Sequence, residues 1–289
     1  VIIGNLTTNM RNLIFSLSIL ISRILKLAII FLGTQLTFEH VITLGPIAVP
    51  SLFLIIISSF LFIEWIGKIL GVDPKLARLI AGGTSICGAS AIIAINTVTK
   101  ASKEDVAYAL TSITICGTIG MIAFPWIAHI FNLGPTAYGF WSGGAIHEVA
   151  QVIGASFQGG DIAGQVGTIT KLTRVLFLAP LLLFLSAQTI WQSKSLALNE
   201  IVNIPVPWFV FGFLGMMALN SEGIFSSDFK IVLSNLTTFL LTFALSGIGL
   251  GIDLKKIRGV GVMPLVLGMI GTLFISLLTF GMTLLLYGS

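Results

Sequence analysis

A chain of 289 residues that is 56% hydrophobic and 9% charged, with a mean hydropathy of +1.06, cannot be solvated as a soluble fold, since soluble domains carry about 25% charged residues. Its net charge of +4 lies mostly in short connections between apolar runs. There the cations act as topology signals, and no nucleic-acid partner is expected. Apolar runs of roughly 20 residues indicate membrane-spanning helices, not the alternating strands of a barrel.

The opening VIIGN reads as the tail of a preceding helix, so further residues are expected upstream of Val1. Hydropathy, with glycine, proline and charge punctuation, predicts nine spans in one all-α polytopic domain over 1–289. They fall at 21–36, 47–66, 76–98, 106–130, 138–155, 163–190, 206–219, 231–252 and 263–287. On this count Arg11, Lys68, Lys75, Arg78, Lys194, Lys255, Lys256 and Arg258 share one side, against Lys100, Lys103 and Lys230. The richer side is expected to be cytoplasmic, which places the C-terminus outside.

The first span carries Arg23 and Lys26 one turn apart before LAIIFL, and the sixth carries Lys171 and Arg174 before VLFLAP. Asp73-Pro-Lys75 precedes the third span and Asp228-Phe-Lys230 the eighth. An odd number of crossings separates each pair. Two half-repeats, about 1–130 and 138–289, would therefore be inverted, as in secondary transporters. Arg23 and Lys26 suit snorkelling to the interface, whereas Lys171 and Arg174 suit either snorkelling or oxyanion binding. Glu64 and Lys68, four apart, are expected to pair at a span end.

The third span contains AGGTSICGASAI. Its glycines predict a helix broken near Gly82–Gly88, which would bare N–H groups and a positive dipole end to an anion. Gly83, Thr84, Ser85, Gly88 and Ser90 are the candidate ligands; close packing of small residues is the competing explanation. The eighth span, with Thr242, Ser246 and Gly249, is the expected second discontinuous helix, crossing the first, with Ser246 in the binding set. In the fifth span His147 and Glu148 are ionisable at depth, with Gln151 on the histidine's face, and are expected to couple an ion. Asn96 adds a polar group just past the break. HEVAQ lacks the second histidine of a zinc protease motif, and Cys87 and Cys116 read as packing thiols, so no metal is expected.

The segments AGGTSICGASAI, KEDVAYAL, WSGGAIHEVAQV, KLTRVLFLAP and PWFVFGFL, in this order, make the chain resemble the YeiH-type sulfate exporter family of bacterial inner-membrane proteins. The resemblance covers nearly the whole chain. It implies two inverted five-helix repeats with crossed, discontinuous helices, and motif residues at Gly83, Thr84, Ser85, Cys87, Gly88, Ser90, His147, Gln151, Lys171 and Arg174. Asn96 and Glu148 depart from the family pattern, with Glu148 standing where many relatives carry aspartate.

The expectation is a secondary active transporter of a small anion such as sulfate in a bacterial inner membrane. Coupling to H+ or Na+, no other cofactor, and a lipid environment with a homodimer as an option complete it. The alternatives are a membrane-embedded enzyme using Ser85 or Cys87 with His147, or an anion channel.

Overall fold

The computed structural model describes residues 37–192, 208–251 and 261–287, with a few positions between 20 and 35. The helices in order are α1 (Phe38–Thr43), α2 (Ala48–Ile69), α3 (Pro74–Ser85), α4 (Ala89–Thr99), α5 (Lys103–Ile130) and α6 (Pro135–Ala145). They continue as α7 (Val149–Ser156), α8 (Asp161–Leu176), α9 (Leu178–Gln192), α10 (Trp208–Ser221), α11 (Ser227–Gly251) and α12 (Met263–Tyr287). No strand occurs among the described residues.

Among the described residues, four stretches are long and apolar enough to cross a membrane: α2, α5, α8 with α9 over Asp161–Gln188, and α12. Leu61, Trp65, Ile119, Trp126, Leu273 and Leu285 on these helices are each more than half exposed, an apolar outer surface suited to lipid. Local signals set the helix starts. The Asp73 carboxylate accepts from Lys75 N and Leu76 N ahead of Pro74, and Ser102 with Asp105 forms a reciprocal cap on α5.

The predicted third span is a hairpin, not a crossing. Lys75 Nζ donates to Lys100 O at 3.1 Å, while Gly82 packs on Ile95 and Gly83 on Ile92. Helix α4 therefore runs back along α3, and both outer ends lie on one face. The predicted fifth span does the same. Tyr138 Oη donates to Ala155 O at 2.8 Å, and Gly159 lies against Tyr138. Helix α8 then runs parallel to α6, with Gly139 against Ala163 and Gly143 against Thr170. The 28 residues of α5, about 42 Å at 1.5 Å per residue, join the base of the first hairpin to the base of the second. The two hairpins thus enter from opposite faces, and their tips meet midway.

Several expectations change as a result. Lys100 lies on the same face as Lys75, not across the membrane from it, and Lys103 opens α5 from that face. The second interrupted helix is not the one holding Thr242 and Ser246. Helix α11 runs unbroken over Ser227–Gly251 with Ser246 exposed, because small residues permit a break without imposing one. The second break falls at Ile146–Glu148, where both flanking residues are extended (Ile146 ψ 148, Glu148 ψ 144). Glu64 pairs with Arg78 at 2.7 Å and not with Lys68, since α3 packs along α2 and brings the guanidinium within reach. Arg23 is exposed, in keeping with snorkelling, while Lys26 lies outside the described residues.

Helix α12 is the spine against which both hairpins rest. Tyr108 Oη reaches Gly261 O at 2.7 Å near the first hairpin's base, and Trp141 Nε1 donates to Ser276 O at 3.0 Å on the second hairpin's side. The helix ends with Tyr287 packed on Phe140, on the face opposite Lys75 and Lys100. Replacing two expected crossings by two hairpins leaves the parity of the chain unchanged.

Candidate functional site

The site is the meeting of the two tips. At the first, Gly88 has φ 71 and ψ −127, a conformation open to glycine and strained for other residues. It separates the carbonyl end of α3 from the N–H end of α4. At the second, Ile146–Glu148 separates the carbonyl end of α6 from the N–H end of α7. Each tip therefore sets a negative and a positive dipole end side by side.

Lys171 and Arg174 stand one turn apart on α8 and are both 0% exposed. They point inward, and snorkelling does not apply to them. Lys171 Nζ donates to Ile86 O and to Ile146 O, each at 2.7 Å. Arg174 Nη2 donates to Thr84 O at 3.0 Å and Ser85 O at 2.7 Å, and Nη1 to Gly143 O at 3.1 Å and Ile146 O at 3.3 Å. Both side chains tie both tips. A cation at bilayer centre costs roughly 2.5–3.5 kcal/mol on insertion scales. Hydrogen bonds to a charged group contribute about 1.5–3 kcal/mol each, so the carbonyls offset that cost.

Gly83, Thr84 and Ser85 consequently differ from their expected role. They close α3, so Thr84 and Ser85 present carbonyls to a cation instead of N–H groups to an anion, and Gly83 O accepts from Gly88 N at 2.9 Å. Gly83 itself packs between Ile92 and Ile113. The anion-favouring end at this tip is the start of α4, and there Ala89 N donates to Glu148 Oε1 at 2.8 Å. Ser90 Oγ lies 2.7 Å from Cys87 Sγ.

His147 is fully buried, and its Nε2 lies 2.8 Å from Thr272 Oγ1. The Thr272 hydroxyl hydrogen goes to Gly268 O at 2.7 Å. That geometry suits Nε2 as the donor to Thr272, while Nδ1 is buried without a hydrogen-bond partner. With His147 turned to Thr272 and Cys87 to Ser90, no thiol–imidazole pair forms among the described residues. Gln151 braces the second tip. Its Nε2 donates to Thr114 O and Thr118 Oγ1, both at 3.2 Å, and its Oε1 accepts from Glu148 N at 3.3 Å.

Asn96 and Ser246 are not part of this cluster. Asn96 Oδ1 accepts from Ala101 N at 2.8 Å near the hairpin base. Ser246 is exposed on α11. Sequence reasoning missed Thr272, Thr114 and Thr118, because a lone threonine in an apolar span commonly bonds its own helix. It also missed the carbonyls of Ile86 and Ile146, which no side-chain motif can signal.

Residues 1–268 match the family described as conserved hypothetical protein 698. The chain is 35% identical over 263 residues to a UPF0324 membrane protein of Listeria monocytogenes, covering 91% of this chain and 77% of that one. It is 34% identical over 271 residues to a UPF0324 membrane protein of Clostridium tetani, covering 89% and 79%. A Yersinia pestis UPF0324 membrane protein is 36% identical over 268 residues, covering 89% and 73%. No solved structure matches.

Proposed function

Since the chain belongs to the conserved hypothetical protein 698 family, whose curated relatives here are membrane proteins, we propose that it is a secondary active transporter of a small anion. The observation that carries this reading is the meeting of two re-entrant hairpins, from opposite faces, around the buried Lys171 and Arg174. Interrupted backbone at membrane depth is tolerated where protein or a substrate path covers it, and midplane sites between related, inverted elements are the common plan of secondary transporters. Each hairpin with its following helix, α3–α4 with α5 and α6–α7 with α8–α9, is one copy of such an element. Moving one hairpin exposes the tips to one side; moving the other exposes them to the opposite side.

The charge balance favours an anion. With Lys171 and Arg174 as cations and Glu148 as a carboxylate, the cluster has one positive charge in excess, since the paired helix ends cancel. The face bearing Lys68, Lys75, Lys100 and Lys103 is the cytoplasmic one on the positive-inside rule, which sets the C-terminal end of α12 outside the cell in a bacterial plasma membrane.

The test is flux in proteoliposomes of nitrate, acetate and sulfate under imposed proton or sodium gradients. Arg174→Ala is expected to fall to the flux of protein-free liposomes. Wild-type flux in that variant would remove Arg174 from the path.

A further inference from the structure

We propose that Glu148 is a tethered anion: its carboxylate occupies the place at the N-terminus of α4 that a transported monovalent anion takes, and the exchange carries one proton. This rests on the transporter reading and specifies its ligand and coupling ion.

The geometry is specific to this carboxylate. Glu148 belongs to the second hairpin, yet its Oε1 sits 2.8 Å from Ala89 N in the first. A Cβ on Gly88 would lie 2.6 Å from Glu148 Cδ, so the absence of a side chain there makes room for the carboxyl group. The first N–H groups of α4 have no intrahelical acceptor, and Glu148 serves as the anion they call for. Unused polar atoms lie at the same junction. Arg174 Nε and Ser85 Oγ are fully buried without a hydrogen-bond partner, while Arg174 Nη2 holds Ser85 O at 2.7 Å. A small anion released from the covalent tether of Glu148 could engage them together with the α4 amides.

Charge conservation then selects the ligand. The charged or titratable groups that act on the carboxyl are Lys171 from α8 and Cys87 from the opposite tip; Arg174, one turn beyond Lys171, ties the same two tips, and His147 precedes Glu148 in its own tip. Helices α5 and α12 bring only the neutral Thr114, Thr118 and Thr272 to the neighbouring Gln151 and His147. With Lys171 and Arg174 positive and Glu148 negative, the junction carries a net charge of +1. One proton on Glu148 ends its charge-assisted bond to Ala89, which has about twice the strength of a neutral one. A monovalent anion then restores +1. A dianion would shift the balance by a further unit in a medium that screens charge poorly.

The experiment compares melting temperatures of purified wild-type and Glu148→Gln protein in detergent with nitrate, acetate or sulfate, at about pH 5.5 and about pH 8. Nitrate or acetate is expected to stabilise the wild type at the lower pH and not at the higher, and to stabilise Glu148→Gln at both. The wild-type affinity should change by about tenfold per pH unit above the titration of Glu148, as one linked proton requires. The wild-type arms need no variant to fold. Equal stabilisation of wild type at both pH values, or stronger stabilisation by sulfate than by either monoanion, overturns the tethered-anion assignment and leaves the transporter reading standing. No stabilisation of either protein by any of the three salts would remove the anion reading as well.

Discussion

At the scale of single residues, Gly88 carries two constraints that can be separated by experiment. Its φ of 71 strains any side chain, and the Glu148 carboxyl fills the space where a Cβ would go. Gly71, just past the end of α2, shares the positive φ, at 67, with nothing within 4 Å of an added Cβ. Gly71→Ala is therefore expected to cost only the backbone strain, about 1–3 kcal/mol. Gly88→Ala should cost more, read as a larger drop in melting temperature in detergent. Equal drops would show that the carboxyl yields freely. Lys171→Met takes the ammonium from Ile86 O and leaves Ile146 O with Arg174 Nη1 at 3.3 Å, a penalty of about 1–3 kcal/mol for the buried Ile86 carbonyl. Melting at wild-type temperature would mean that water or Arg174 replaces the ammonium.

At the scale of elements, each hairpin is held by close packing on its neighbours. Gly139 allows α6 to lie directly on α8: a Cβ there would approach Ala163 O to 2.6 Å and the Val166 Cβ to 2.9 Å. Gly139→Val is expected to force the hairpin off α8 and lower stability by about 1–3 kcal/mol, as overpacking does. Gly134→Val, at the open start of the same helix, is the matched control in the thermal melt. Small-residue packing was legible in the third span, but the seam between α6 and α8 and the reversal at each tip were not. A hairpin whose arms are 12 and 11 residues long has almost the length and composition of one crossing helix, and hydropathy cannot tell the two apart.

At the scale of the whole molecule, the hairpins decide which loops share a face. Lys75, Lys100, Asn132 and Gln158 are all exposed. Cysteines placed at Lys75 and Lys100 are expected to react with a membrane-impermeant thiol reagent from one side only. Those at Asn132 and Gln158 should react only from the other. Labelling of Lys75→Cys and Lys100→Cys from opposite sides would restore the two simple crossings read from hydropathy. Native Cys87 and Cys116 are buried, which keeps the background low. The positive-inside count becomes more one-sided when Lys100 and Lys103 join Lys68 and Lys75, and two reversals cancel, so the expected side of the C-terminus is unaffected.

Composition alone determined that this chain lives in lipid as a helical polytopic protein, because too few charges exist to solvate it and helices satisfy their backbone within one segment. The same reasoning picked out Gly88, His147, Glu148, Lys171 and Arg174, since ionisable groups and flexible backbone are expensive at depth and stand out against leucine and isoleucine. Only the tertiary structure decided that both interruptions are fold-backs, that the second lies at Glu148 and not near Ser246, and that the two cations face carbonyls while a carboxylate faces the N–H end. Those outcomes depend on which backbone groups remain unpaired once the helices have packed, a property of three-dimensional neighbours that no linear spacing encodes.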